Sequence, residues 1–418
     1  MKHDDTRRVV ITGVGPVSPV GVGREQFWQS VIAGKSGTCL MTDLPLDFPV
    51  ESFRSRVLAR IPESLLPPGD DRQWGGRHFR LGALGFKLAF EDSGLEDVSR
   101  SRAAIVLGNA VGGTAALEAS FLQMDDGARL VAGRAPADLM RQMSFHSMAH
   151  ELASAYKCRG PVLTVSTGCT AGLDAIVTAF DILRTGGADL AIAGSAEAPL
   201  TPVVFAAFDV IGAMTQRNFD PEHASRPFDC DRDGFVLGEG AGFLVLEERG
   251  HALRRGAQIY AELTGYASLS NSYHMTDLPP DGDALAQCID LALEDSGLSA
   301  DDIDHVNAHG SSTKQNDICE TNAIKSSLGK RAEQITVNSL KSIIGHALGA
   351  SNAMEMVACA LSLNRQHLFP TANLDRPDEG CDLDYVAKEG RPASMRHMLK
   401  LSNGFSGIHT AAVLSTHI

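Results

Sequence analysis

The pentapeptide Glu-Asp-Ser-Gly-Leu occurs twice, at Glu91–Leu95 and Glu294–Leu298, about 200 residues apart. Each copy ends a helix-period segment, and its Gly fits the left-handed turn that closes many helices. A Val/Ile-containing run and a Gly-containing loop follow each: AAIVLGNAVGGT after the first, IDHVNAHGSST after the second. A second pair keeps the same order, with Leu163-Thr-Val-Ser166 and Ile335-Thr-Val-Asn338 each leading into a turn and a helix. Two echoes in one order imply a duplicated α/β unit. The pseudo-repeat halves are expected to divide near Arg249–Gln258, giving segments 1–255 and 256–418.

Buried strands are expected at Arg8–Thr12, Ala103–Leu107, Val162–Ser166, Leu190–Ala193, Gly242–Glu247, Ile303–Ala308, Ile335–Ser339 and Ala411–Ser415. Between them lie helix-period segments such as Leu173–Leu183, Ala284–Glu294 and Ala353–Leu363. Their hydrophobicity is continuous rather than alternating, which implies strands covered on both faces. The fold class is therefore α/β, with largely parallel sheets.

A charge of −14 with no basic run argues against nucleic acid and against anionic membranes. No stretch reaches the ~18 uninterrupted apolar residues of a spanning helix. Arg7-Arg8 before an apolar run imitates an export signal, but five Gly or Pro residues between Val9 and Gly23 break that run. The eight cysteines form no CxxC pair and no regular spacing, which argues against a zinc ribbon and a disulfide framework. A cytoplasmic protein with reduced thiols is expected. Gly13-Val-Gly15-Pro imitates a dinucleotide loop, yet the third Gly and the distal acidic residue are missing.

In VSTGCTAGLDAIVTAF, from Val165, a buried strand ends, a tight turn follows, and Cys169 stands where an apolar helix begins. That is a nucleophile elbow carrying Cys, with the helix terminus expected to favour thiolate. By itself the motif equally fits a small core residue. His309 lies just past a strand in HVNAHGSSTKQND, and His346 and Lys341 lie in NSLKSIIGHALGASNAME. A metal would need a third ligand at suitable spacing, which is absent, as is HExxH. The turn Gly404-Phe405-Ser406-Gly407 fits a structural turn or half of an oxyanion hole.

These pieces, in this order, resemble the β-ketoacyl-(acyl carrier protein) synthases of the thiolase superfamily, from RRVVITGVGPVSPVG to the GFSG turn. SRPFDCDRDGFVLGEGAG and NSYHMT are further matching blocks. STGCTAGLD, PEHASRPFD, HGSSTKQND and CDLDYV look more like the ketosynthase-α subunits of bacterial type II polyketide systems than like fatty-acid enzymes. The resemblance implies a five-layer αβαβα sandwich and a decarboxylative Claisen condensation of malonyl-carrier protein with an acyl chain. It makes Cys169 the acyl acceptor and His309 and His346 the pair acting on malonyl thioester. Lys341 matches the family lysine, with Glu320 as its ion-pair partner and Asp317 nearby. Backbone N–H groups of Cys169 and Phe405 would form the oxyanion hole, with Phe405 also the gate. Thr276, Ser311 and Thr313 would line the pantetheine arm, and Val111 and Phe208 the acyl pocket, with Val111 shared across a dimer interface. Asn403 stands where the family has Phe and Ser406 where it has Gly, so gate motion and substrate shape are expected to differ.

No cofactor is implied beyond phosphopantetheine on the carrier protein. The expected partners are an acyl carrier protein and either a second copy or a chain-length-factor-like subunit. Arg72, Arg77 and Arg80 are a candidate basic patch for an acidic carrier. Three alternatives stay open: a fatty-acid elongating synthase, a non-catalytic chain-length factor (disfavoured by Cys169, His309 and His346), and a CoA thiolase (disfavoured because Gly404–Ser406 holds no second Cys).

Overall fold

The computed structural model describes residues 7–43, 50–69, 76–99, 101–122 and 139–417. Ten strands share one sheet: β1 (Val9–Ser18), β2 (Ala103–Gly108), β3 (Val162–Val165), β4 (Leu190–Glu197), β5 (Gly240–Glu248), β6 (Ala261–Ser270), β7 (His305–Asn307), β8 (Thr336–Asn338), β9 (His397–Gly404) and β10 (Ile408–Ser415). Their order is β8-β7-β9-β10-β6-β1-β5-β4-β2-β3, and Gly21–Val22 adds a short strand on β1. The first five strands and the last five run in one pattern, third-second-fourth-fifth-first. Each set has two parallel pairs and two antiparallel ones. Antiparallel pairing of β1 with β6, from Val9↔Leu263 to Ile11↔Ala261, joins the sets.

The helices used below are α1 (Arg77–Asp92), α2 (Ala171–Arg184), α3 (Asp283–Ser296), α4 (Lys314–Leu328) and α5 (Gly349–Arg365). Alternate residues of each strand feed different cores, as the two-residue period of a strand demands. In β2, Ala104 and Val106 join a central core with α2 and α5, while Ile105 and Leu107 join an outer core with α1. In β10, Ala412 and Leu414 face the central core, while Ala411 and Val413 face α3 and α4. The two five-stranded halves of the sheet thus cover opposite sides of α2 and α5, giving five layers, helix–half-sheet–helix–half-sheet–helix.

The inner helical layer explains the small residues of its sequence. Every residue of α5 from Gly349 to Leu363 is buried, as expected of a helix with no polar face. A Cβ on Gly172 would stand 2.3 Å from the Gly349 carbonyl oxygen, so glycine there lets α2 and α5 meet.

Four expectations need correction. The sheet is mixed, because β5 and β10 run antiparallel to their neighbours. The strand expected at Arg8–Thr12 runs on through Gly13, Gly15 and Pro16; the glycines are there because α1 lies against the strand, where a Cβ on Gly15 would stand 2.0 Å from Gly85 O. Val162 and Leu163 are 39% and 42% exposed, since β3 is a sheet edge and not a covered strand. Strands β6 and β9 escaped notice because buried polar residues such as Lys400 and Ser402 interrupt their apolar pattern. The echoed pentapeptides do mark matching helix ends, with φ of +69° at Gly94 and +70° at Gly297.

Candidate active site

Chain polarity places the reactive groups. Parallel strands β2 and β3 end beside Cys169, and β7 and β8 end beside His309 and Lys341. Ligand sites of open α/β sheets gather at such carboxyl ends. Gly168, at φ +65°, turns the chain from β3 into a short 3₁₀ turn, Gly168–Thr170, that carries Cys169 ahead of α2. The Cys169 carbonyl oxygen accepts a bond from Asn352 Nδ2 at 2.5 Å. Burial pushes the thiol up to about 11, opposed by the charge of Lys341 and by the backbone N–H groups of Phe405 and Cys169 itself. The expectation of a helix-stabilised thiolate is therefore corrected: desolvation outweighs the local donors, and the resting sulfur is a thiol.

His309 and His346 lie edge to face with ring centroids 5.3 Å apart. Burial, followed by the nearby charge of Lys341, holds both imidazoles well below their usual pKa, so both rest neutral. Lys341 Nζ approaches His309 Nδ1 at 3.4 Å and donates to the His309 carbonyl at 2.8 Å. An ammonium only donates, so Nδ1 is the acceptor and the His309 proton is assigned to Nε2. Ser351 Oγ accepts from Ala347 N–H at 2.7 Å and lies 3.1 Å from His346 Nδ1, where its own hydroxyl proton is free to donate to a ring protonated on Nε2.

The partner of Lys341 is Glu355, not Glu320. Lys341 Nζ meets Glu355 Oε1 at 2.5 Å, and Lys400 Nζ meets Glu355 Oε2 at 2.7 Å, all three buried. Glu320 instead accepts the backbone N–H groups of His309 and Gly310 at 2.6 and 2.8 Å, and burial raises its carboxyl to about 7. It positions His309 through the main chain. Asp317 accepts from Phe228 N–H at 2.8 Å and pairs with Arg232 at 3.2 Å, away from both imidazoles' contacts.

A cavity of about 480 Å³ opens onto these groups, lined by Cys169, His309, His346, Phe405, Phe208, Thr276, Ser311 and Thr313. The Ser311 and Thr313 hydroxyls bond at 2.9 Å, and Thr313 also caps α4. Phe405 and Phe208 stand 6.3 Å apart between centroids. Val111 does not line this cavity; it packs with Phe208 and Cys169 in an adjoining apolar cluster, its N–H aimed at Glu197 Oε2 at 3.4 Å. The departure at Asn403 places an amide in the cavity wall, bonded to His409 Nδ1 and to Asn316 Oδ1, each at 2.9 Å. Ser406 is exposed at the hairpin tip, with φ +68°.

The basic patch is also corrected. Arg72 lies outside the described residues. Arg77 turns inward onto Glu239, 2.6 Å away, and the buried Arg80 meets Glu63 at 3.0 Å, so both side chains close a structural contact. Glu355 and Lys400 were missed, although one signal existed: each is a lone charge inside an otherwise apolar segment, which a fold tolerates only when the charge is paired. No helix among the described residues is long and apolar enough to cross a membrane.

A cysteine-bearing strand–turn–helix elbow and two neutral imidazoles on one cavity are the groups that a condensing acyltransferase needs. Two family models, described as the N-terminal and C-terminal domains of β-ketoacyl synthase, match residues 77–252 and 260–375, more than half of the chain. The chain belongs to the β-ketoacyl synthase family. It is 41% identical to the tetracenomycin polyketide synthase ketoacyl synthase alpha subunit of Streptomyces glaucescens, over 99% of this chain and 98% of that one. Among solved structures it is similar to the ketosynthase in AntDE:AntF, a type II polyketide synthase acyl-carrier protein in complex with its ketosynthase (TM-score 0.92, 40% identity, 99% and 100% coverage). The ishigamide ketosynthase/chain length factor gives a TM-score of 0.88 at 31% identity, with 99% and 100% coverage.

Proposed function

We propose that this chain is the ketosynthase of a type II polyketide system, extending an acyl chain held on Cys169 by decarboxylative Claisen condensation with malonyl-carrier protein. The observation that supports it is the meeting of Cys169, His309 and His346 on one cavity, with the Phe405 and Cys169 N–H groups facing the sulfur. In the first half-reaction the Cys169 sulfur attacks the acyl thioester, the acyl–sulfur bond to phosphopantetheine breaks, and the carrier thiol leaves with a proton. The two N–H groups hold the oxyanion. In the second, malonyl thioester loses CO2, and its enolate oxygen takes the N–H groups of His309 and His346. The enolate carbon then attacks the acyl-Cys169 carbonyl, a carbon–carbon bond forms, the acyl–sulfur bond to Cys169 breaks, and the thiolate released takes a proton from solvent.

In this reading Lys341 fixes the His309 tautomer, Glu320 holds the His309 backbone, and Asp317 supports that wall through Arg232. Phe405 gates the cavity, Thr276, Ser311 and Thr313 receive the pantetheine arm, and Phe208 bounds the acyl chain, with Val111 in the apolar cluster behind it. The substrates arrive on phosphopantetheine, and no other cofactor is required. The partners are an acyl carrier protein and a second ketosynthase-type subunit, either this chain or a chain-length factor. The exposed edge strand β3 supports that pairing, because among the described residues no strand pairs with its outer edge, and apolar Val162 and Leu163 lie exposed on it. Residues 1–255 carry the nucleophile and 256–418 the histidines, in a cytoplasmic enzyme.

Intact-protein mass spectrometry after mixing with an acyl-carrier thioester tests this. The wild type should gain the acyl mass, Cys169→Ala should not, and malonyl-carrier should discharge the adduct with release of CO2. An adduct that persists in Cys169→Ala, or an acyl-enzyme that malonyl-carrier cannot discharge, overturns it.

A further inference from the structure

The two N–H groups facing the Cys169 sulfur belong to distant parts of the chain, and one buried carboxylate ties those parts together. Asp174 lies in the first turn of α2, 6% exposed. Its Oδ2 accepts the hydroxyls of Thr167 and Thr170, the latter at 2.6 Å, and these residues straddle Cys169. Its Oδ1 accepts the Thr410 hydroxyl at 2.6 Å. Thr410 lies on β10 directly across from Ser402 on β9, in the hairpin whose tip carries Phe405. The two segments touch beside the carboxylate, where a Cβ on Gly404 would stand 3.2 Å from Thr170 Cγ2. Three hydroxyl donors converge on one carboxylate, which shares none of its hydrogen bonds with the imidazoles.

We propose that Asp174 is a positioning residue that sets the separation between the Cys169 N–H and the Phe405 N–H, and so the geometry of the oxyanion hole. Donors of this kind act only when held within a fraction of an ångström of the developing charge. Thr410 carries the constraint to the hairpin, while Thr167 and Thr170 carry it to the Cys169 turn. The inference rests on the acyl-transfer reading above, but its effect on the sulfur does not require substrate.

The test compares wild type, Thr410→Val, Thr410→Ser and Asp174→Asn at a temperature well below each melting midpoint. The first readout is alkylation of Cys169 by iodoacetamide at pH 8, followed by peptide mass spectrometry. The same two N–H groups lower the thiol pKa, so their displacement should slow alkylation about threefold in Thr410→Val. Thr410→Ser keeps the hydroxyl and should restore the rate; Asp174→Asn, with one acceptor oxygen, should fall between. The second readout is condensation, where kcat should drop about tenfold in Thr410→Val with KM for the acyl carrier within about twofold. Wild-type alkylation in Thr410→Val, or equal slowing in the Ser and Val variants, overturns the proposal. Absence of acyl transfer by the wild type would sink the functional reading alone, because the alkylation comparison remains.

Discussion

Glu355 on α5 bridges two lysines from different segments, with Oε1 2.5 Å from Lys341 Nζ and Oε2 2.7 Å from Lys400 Nζ, and none of the three side chains is more than 1% exposed. Such a triad is held less for stability than for geometry, since charges buried this deeply are tolerated only when each has its partner. Replacing Glu355 by Gln leaves two ammonium groups against one neutral amide. A loss of roughly 3–5 kcal/mol is expected, read as a lowered denaturant midpoint. A variant as stable as the wild type would show that the lysines lose their charge together with Glu355.

The histidines set an acid limit to stability. Burial and the charge of Lys341 hold His309 and His346 well below 6.5, the value near which each titrates in the unfolded chain. Unfolding therefore takes up protons as the pH falls, so their contribution is full above pH 6.5 and is lost progressively below it. The melting midpoint should drop between pH 7.5 and 5.5, and His346→Gln should flatten that slope. An unchanged slope in the variant would count against a neutral buried imidazole.

Removing the Glu320 carboxylate orphans two buried donors, the N–H groups of His309 and Gly310. Glu320→Ala should cost about 1–3 kcal/mol for each donor left unpaired and lower kcat as His309 drifts. Glu320→Gln, keeping one acceptor, should be milder on both counts. Equal unfolding curves and equal turnover for the Ala and Gln variants would show that the carboxylate does not hold this loop.

The close meeting of α2 and α5 predicts that Gly172→Ala forces the inner helices apart, since the added Cβ falls 2.3 Å from a backbone oxygen that cannot move alone. Overpacking of this kind costs about 1–3 kcal/mol, measurable by thermal melting.

Ser311 faces the cavity and bonds Thr313. If it receives the pantetheine arm, Ser311→Ala should raise KM for the carrier-bound thioester about 2- to 12-fold, the worth of one hydrogen bond, and leave kcat unchanged. A fall in kcat with KM constant would move Ser311 from substrate binding to the reaction itself.

The duplicated α/β unit was legible because its signals are local. The two helix-ending pentapeptides, the strand before Cys169 and the strands before His309 and Lys341 each lie within about a dozen residues, and periodicity reads such windows well. Cys169, His309 and His346 were readable from those local positions, whereas Thr276, Ser311 and Thr313 came only from the family resemblance. The partner of Lys341, the inward turn of Arg77 and the exposure of Val162 were not legible.

What the sequence alone determined is the alternation of strands and helices, the duplicated grammar and the positions of the Cys and the two His, since strand and helix periods and Gly turns act through neighbours in the chain. The tertiary structure alone decided which charges meet. Glu320 and Glu355 both lie on helices of the second half, and only the stacking of α5 between the sheets brings Glu355 against Lys341 while Glu320 faces the His309 backbone. The same stacking brings Asp174 to Thr410 across 236 residues. Pairing of buried charges is chosen by burial and distance, and those exist only once the layers have packed.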